Sequence, residues 1–339
     1  MSIKKNKLVI GISIGDINGI GAEVTMKALL DNRLQKMITP VIYGHGKALT
    51  YYRKVLDMND FNFIQIKSIE EVHHRKINVI NVVQESPEVI PGVETRDAGT
   101  MALAAIDQAI VDLKNDQLDA LVTAPLNKNN INSTETPFVG HTEYLTHAFD
   151  TNESMMFMVS EDMRIGLVTG HIPLKDIASG ITDIAIRAKL KIMIRSLKND
   201  FGITKPKIAV LGLNPHAGED GLLGNEELEI IQPVVKSFKE DGALVFGPYP
   251  SDGFFGMMHQ KKFDGVLAMY HDQGLIPFKT LCFDSGVNFT AGLPIIRTSP
   301  DHGTAYNIAG KNDANPDSMR SAIFLAHDMI KRKENLMAT

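Results

Sequence analysis

Short runs rich in β-branched and apolar residues recur along this chain, and the stretches between them mostly carry a helical period. Strands covered by helices have that pattern, so the sequence predicts an α/β protein with a largely parallel sheet. The strand candidates are Leu8–Ile14, Pro40–Tyr43, Ile77–Val82, Ala120–Thr123, Ile165–Thr169, Lys207–Leu213, Ala243–Gly247 and Gly265–Met269. Between them, Thr100–Lys114 sets Leu103, Ile106, Ala109 or Ile110, and Leu113 on one helical stripe, while Ile181–Leu197 is longer and basic on its outer side. At 339 residues the chain exceeds the usual size of one domain, and about two are expected. No repeat, low-complexity tract or flexible linker separates them. The polar, turn-rich Asn127–Pro137 suits a crossover loop between two lobes.

Several function classes are excluded by composition. A formal net charge of −5 gives no basic field for nucleic acid or an anionic membrane surface. No apolar run approaches the roughly 20 residues that span a bilayer. The opening MSIKKNKLVIGISIGD reads as a first strand and not as a signal peptide, because its apolar run is brief, broken by glycine and ends in Asp16. The single cysteine, Cys282, rules out an internal disulfide and fits a reducing cytoplasm; it reads as a small buried residue.

Three predicted strands end alike: RIGLVTG runs into His171, KIAVLGLNP into His216 and DGVLAMY into His271. Ligands of open α/β sheets bind beyond the carboxyl ends of the strands, so residues far apart in sequence converge there. Three imidazoles leave positions open for substrate and suit a borderline-soft divalent ion, zinc first, with cobalt, iron, nickel or magnesium as alternatives. His73, His74, His259 and His327 lack such a setting and read as structural.

Glycine, acid and amide residues accompany two of these histidines, in NPHAGEDGLLGNEE and YHDQGLIPFK. Glu219, Asp220 and Asn225 are candidates to orient an imidazole or to touch a ribose hydroxyl of a nucleotide cofactor, and Asp272 is a second orienting candidate. Lys279 is placed in the crevice of His271, where its charge suits a phosphate or carboxylate. Further on, Asn288 and Arg297 flank a glycine and proline turn, and Arg297 can clamp an oxyanion; the loop Asp301–His302–Gly303–Thr304 is read as opening a helix. Gly140, His141 and Thr142 stand at a helix start, where free amides favour an anion. Gly15, Gly19 and Gly21 do not fit the G-x-G-x-x-G spacing of a Rossmann turn, and Gly44–His45–Gly46–Lys47 is too short to count. The residues alone give a metal and an anionic substrate, and leave a metal-dependent hydrolase open.

The segments GDINGIGAE, GHTEYL, TGHIPL, LNPHAGEDGLLGNEE, YPSDGFF, YHDQGLIPFK and FTAGLPIIRTSPDHGTAY, in that order, resemble the signatures of the 4-hydroxythreonine-4-phosphate dehydrogenase family of vitamin B6 biosynthesis. The resemblance spans nearly the whole chain. It implies an isocitrate/isopropylmalate dehydrogenase-like α/β/α fold of two lobes with a cleft between them, divided as 1–125 plus 295–339 and 126–294. It also implies a cytoplasmic homodimer with active sites at the subunit interface, and NAD or NADP binding without the Rossmann glycines.

By motif, His171, His216 and His271 match the family's metal ligands, and His141, Thr142, Lys279, Asn288 and Arg297 its substrate-binding positions. Asp252, in YPSDGFF, matches an acid close to the substrate, and Asp252 and Lys279 are both candidates for the catalytic base. Ile17 and Ala22 stand where the family commonly has proline. The implied reaction is metal-dependent oxidation of 4-phosphohydroxy-L-threonine with decarboxylation to 3-amino-2-oxopropyl phosphate. Relatives acting on threonate or erythronate 4-phosphate, or on a cyclic dihydrodiol carboxylate, share these motifs.

Overall fold

In the computed structural model, residues 7–132, 138, 140–151 and 154–338 are described. Part of the expected crossover loop, 133–137, and residues 1–6 ahead of the first strand lie outside them. The chain divides into two compact units, Met1–Ala148 with Pro294–Lys331, and Phe149–Leu293 with Arg332–Thr339.

The first unit holds β1 (Leu8–Ser13), β2 (Ile38–Gly44), β3 (Phe63–Ile66), β4 (Ile77–Asn81) and β5 (Ala120–Thr123). The second holds β6 (Met155–Val159), β7 (Arg164–Leu167), β8 (Lys207–Leu211), β9 (Leu244–Tyr249), β10 (Gly265–Ala268) and β11 (Val287–Ala291), after which β12 (Arg297–Pro300) returns to the first. The strand order of unit 1 is β3-β4-β2-β1-β5-β12, and its register pairs are parallel. Unit 2 runs β11-β6-β7-β10-β8-β9, with β6 antiparallel to both neighbours and the remaining pairs parallel. The expected mostly parallel α/β class is what the chain adopts.

Parallel strands covered on both faces need apolar side chains in both directions, which is why the candidates read as continuous runs. Ile10 and Ile12 of β1 and Ile14 beyond it are fully buried, each contributing about 1.5–3 kcal/mol by leaving water. The strands not foreseen are β3, β6, β11 and β12. The helix Arg96–Lys114 begins four residues before the sequence reading, where Thr95 accepts from Ala98 N–H as its cap. Its buried stripe holds Met101, Ala102, Ala105, Ile106, Ala109, Ile110 and Leu113, whereas Leu103 is only half-buried. The same helix buries Asp112, which receives the hydroxyl of fully buried Tyr43 at 2.5 Å and Gln108 Nε2 at 3.1 Å.

In unit 2 the helix Asp183–Asn199, capped by Thr182 through Ala185 N–H, packs against β7 and β10. Ile165, Leu167, Ala209, Leu211, Val266 and Ala268 form one apolar cluster with Phe254 and Phe278. That cluster anchors the three strands whose ends carry the histidines. Among the described residues no helix is long and apolar enough to cross a membrane.

Candidate active site

Three neighbouring parallel strands of unit 2, in the order β7, β10, β8, end in histidine-bearing segments. Side chains tie those ends together. Thr169 Oγ1 donates to Met269 O at 2.7 Å and joins the ends of β7 and β10. Buried Gln273 accepts from Met269 N–H at 2.7 Å and donates from Nε2 to Gly212 O at 2.6 Å, joining β10 to β8.

His271 opens the helix His271–Cys282, and its ring centroid lies 5.5 Å from that of His171. His271 Nδ1 stands 2.8 Å from Asp272 Oδ1. A carboxylate there takes the ring N–H and leaves Nε2 as the lone-pair donor, a common arrangement behind a metal ligand. His216 is exposed, and among the described residues no three His, Cys, Asp or Glu side chains gather round one point. In donor chemistry the residues fit a divalent ion, with imidazoles at adjacent strand ends and one of them backed by a carboxylate.

Asp252, on the short helix Ser251–Gly256, lines a cavity of about 450 Å³ together with Asp272, Tyr270, Phe255 and Ile276. It therefore shares a cavity with the carboxylate that orients His271. Lys279 sits half-buried in the last turn of the His271 helix. Eight residues of helical rise place its Cα about 12 Å along the axis from that of His271. Asn288, in β11, is half-buried with its Oδ1 shut off from solvent and given no hydrogen-bond partner. Glu219, Asp220 and Asn225 are exposed on the loops after β8.

Unit 1 gathers a different set. Arg297, 1% exposed at the start of β12, donates from Nε and Nη2 to Thr123 Oγ1 of β5, at 3.1 and 2.6 Å. Burial pushes its guanidinium down to about 9, against an opposing pull from the Glu143 carboxylate, so it stays charged at neutral pH. His141 begins the helix His141–Ala148, with Thr142 next. Burial first, then the Arg297 and Lys128 cations, hold its imidazole well below the ordinary 6.5. Its Nε2 is closed off from solvent without a partner. A buried cation beside a neutral imidazole with an unused ring nitrogen suits an oxyanion.

That arrangement has a consequence for pH. Below pH 6.5 the unfolded chain protonates its histidine while the native state resists. The native state then loses up to about 1.4 kcal/mol per pH unit until its own lowered pKa is reached. Between about pH 7.5 and about 5.5 the wild-type melting temperature is expected to fall more steeply than that of His141→Gln. Equal slopes in the two proteins would contradict the burial of a neutral His141.

The first glycine loop is closed by the chain's own backbone. Gly15, with φ +70°, leaves only 2.2 Å between a Cβ and Pro125 O, and a Cβ on Gly21 would stand 2.4 Å from Ile14 O. These glycines serve close packing and make no open phosphate cradle, which accounts for the absent Rossmann spacing. The loop Asp301–Thr304 leads into a single 3-10 turn, Tyr306–Ile308, and not into the helix expected.

Sequence reasoning named the candidate histidines and Arg297 but missed the groups bonded beside them: Thr169, Gln273 and Thr123. It also missed what fully buried Asp16 does, which is to accept from Asn18 N–H, Asn130 Nδ2 and the Tyr306 hydroxyl. No one-dimensional pattern marks such partners.

Residues 36–326 match the family described as pyridoxal phosphate biosynthetic protein PdxA. A 4-hydroxythreonine-4-phosphate dehydrogenase of Bacteroides thetaiotaomicron is 47% identical over 333 residues, 98% of this chain and 91% of the relative. One of Sulfurihydrogenibium is 44% identical, covering 94% and 97% respectively. Among solved structures, the 4-hydroxythreonine-4-phosphate dehydrogenase of Klebsiella pneumoniae matches with a TM-score of 0.82 and 36% identity, covering 97% of this chain and 99% of that one.

Proposed function

The chain belongs to the PdxA family and is an oxidoreductase, and from that premise we propose that it oxidises 4-phosphohydroxy-L-threonine with NAD or NADP and releases carbon dioxide to give 3-amino-2-oxopropyl phosphate. Near-full-length identity of 47% to a relative bearing that activity's name carries the reading. The two sets of side chains support it: an anion-binding set of His141, Thr142 and Arg297, and a metal-type set of His171, His216 and His271 with Asp252 alongside.

A divalent ion, zinc in first place and magnesium or cobalt as alternatives, would be held by His171, His216 and His271. When bound, it supplies Lewis-acid polarisation at the reacting oxygen. The chain's own residues do the rest. Asp272 fixes the His271 tautomer through Nδ1. Asp252 Oδ or Lys279 Nζ takes the hydroxyl proton as hydride leaves to the nicotinamide. The resulting β-keto acid then loses its carboxylate as carbon dioxide. Arg297, His141 and Thr142 hold the substrate phosphate, with Lys279 and Asn288 as further contacts. Exposed Glu219, Asp220 and Asn225 are the side chains offered to the cofactor.

We further propose a cytoplasmic homodimer with the active site at the subunit interface. Met258, Ile276 and Leu281 of unit 2 are exposed and line one cavity, and contiguous apolar side chains left bare in this way mark contact surfaces. Asp252 lines the same cavity.

Zinc-loaded protein given NAD and 4-phosphohydroxythreonine is expected to form NADH and carbon dioxide in equal amounts, followed by absorbance and by trapping of the gas. Far faster turnover of threonate or erythronate 4-phosphate would make the named substrate wrong. Turnover without NADH would return the site to hydrolysis.

A further inference from the structure

The loop that carries His216 holds a backbone that L-residues rarely adopt. His216, Ala217, Gly218, Glu219 and Asp220 have φ of +53°, +52°, +83°, +43° and +54°. Outside glycine such a conformation costs about 1–2 kcal/mol per residue, and only Gly218 of the five is glycine. It persists where the surroundings over-determine it. Asn214, at the root of the loop, makes no side-chain cap to it.

Glu227 supplies the missing support. It opens a single π-helical turn, Glu227–Ile231, and is 1% exposed. Its Oε1 accepts from Leu213 N–H and Asn214 N–H, both at 2.7 Å, and its Oε2 accepts from Asn214 Nδ2 at 2.9 Å. Bonds from N–H groups to a charged acceptor are about twice as strong as neutral ones. The loop folds over the same carboxylate, because a Cβ at Gly218 would lie 2.7 Å from Oε2 and one at Gly212 3.0 Å from Oε1. One buried carboxylate thus grips the residues just before Pro215 and packs against the middle of the left-handed run.

We infer that Glu227 is a positioning residue for the metal: it fixes the backbone from which His216 presents its imidazole, and it touches neither ion nor substrate. The inference rests on the reading of His216 as a ligand. It differs from a purely structural role in predicting a change in metal affinity of the folded protein.

The test measures zinc affinity by chelator competition, without substrate, in the wild type and in Glu227→Gln, Asn214→Ala and His216→Ala, with melting curves alongside. Glutamine keeps the size but turns an N–H donor toward Asn214 Nδ2, and Asn214→Ala removes the two bonds from Nδ2, to Glu227 Oε2 and to Glu226 Oε2, while leaving both backbone bonds to Glu227 Oε1 in place. Zinc binding is expected to weaken about 10-fold or more in Glu227→Gln and less in Asn214→Ala, with kcat of both recovered in excess zinc. Unchanged affinity in these two variants while His216→Ala weakens it would overturn the inference and leave the metal reading standing. Unchanged affinity in His216→Ala would overturn both. Should Glu227→Gln fail to fold, Asn214→Ala decides alone by the same criterion.

Discussion

His271→Ala is expected to lower turnover on the order of a thousand-fold, because a Lewis acid at the reacting oxygen is worth several kcal/mol. The bound zinc measured by atomic emission should fall with it. The neighbouring carboxylate offers a graded control. Asp272 touches the ring only through Nδ1, so Asp272→Asn should cost about 10–100-fold in metal affinity or activity, the usual scale for a group behind a ligand. Full zinc content with full activity in His271→Ala would remove the histidines from the chemistry altogether.

Arg297→Met should reduce kcat/KM for the phosphorylated substrate by a factor corresponding to about 2–5 kcal/mol, the cost of truncating one partner of a buried, hydrogen-bonded charge pair. The same substitution should also lower the melting temperature, because it strips the buried Thr123 hydroxyl of both guanidinium donors. Assays with phosphorylated and dephosphorylated hydroxythreonine in parallel locate the effect: discrimination between the two should collapse in the variant. If the variant still prefers the phosphorylated form as strongly as the wild type, the phosphate lies elsewhere.

The parts of this protein legible in its sequence were those governed by local pattern. Parallel strands buried on both faces leave continuous apolar runs, and the three that run into His171, His216 and His271 are neighbours in the sheet. Strand β6, Met155–Val159, is a short methionine-rich apolar run without alternation, whereas β11, Val287–Ala291, alternates apolar and polar residues between DSG and Gly292 and was legible though not among the expected strands. Support of the site was invisible for a different reason. Gln273 reaches Gly212 across 61 positions, and Glu227 reaches back over 13 and 14 to Asn214 and Leu213; such bonds exist only once strand order and register are fixed. The left-handed run after Pro215 was hidden as well. PHAGED has the composition of an ordinary loop, and what holds five consecutive residues at positive φ is a carboxylate seven positions beyond Asp220.

Gln273 has both ends of its amide engaged, the oxygen on Met269 N–H and the nitrogen on Gly212 O. Its helix cannot slide or turn without breaking both bonds, and His271 rides on that helix while Thr169 locks the neighbouring strand to the same residue, Met269. His171 and His271 therefore rest on a stiff plate whose spacing is set by the sheet. An ion held by the proposed ligands would meet a spacing set by the sheet on one side and by the Glu227-braced loop on the other.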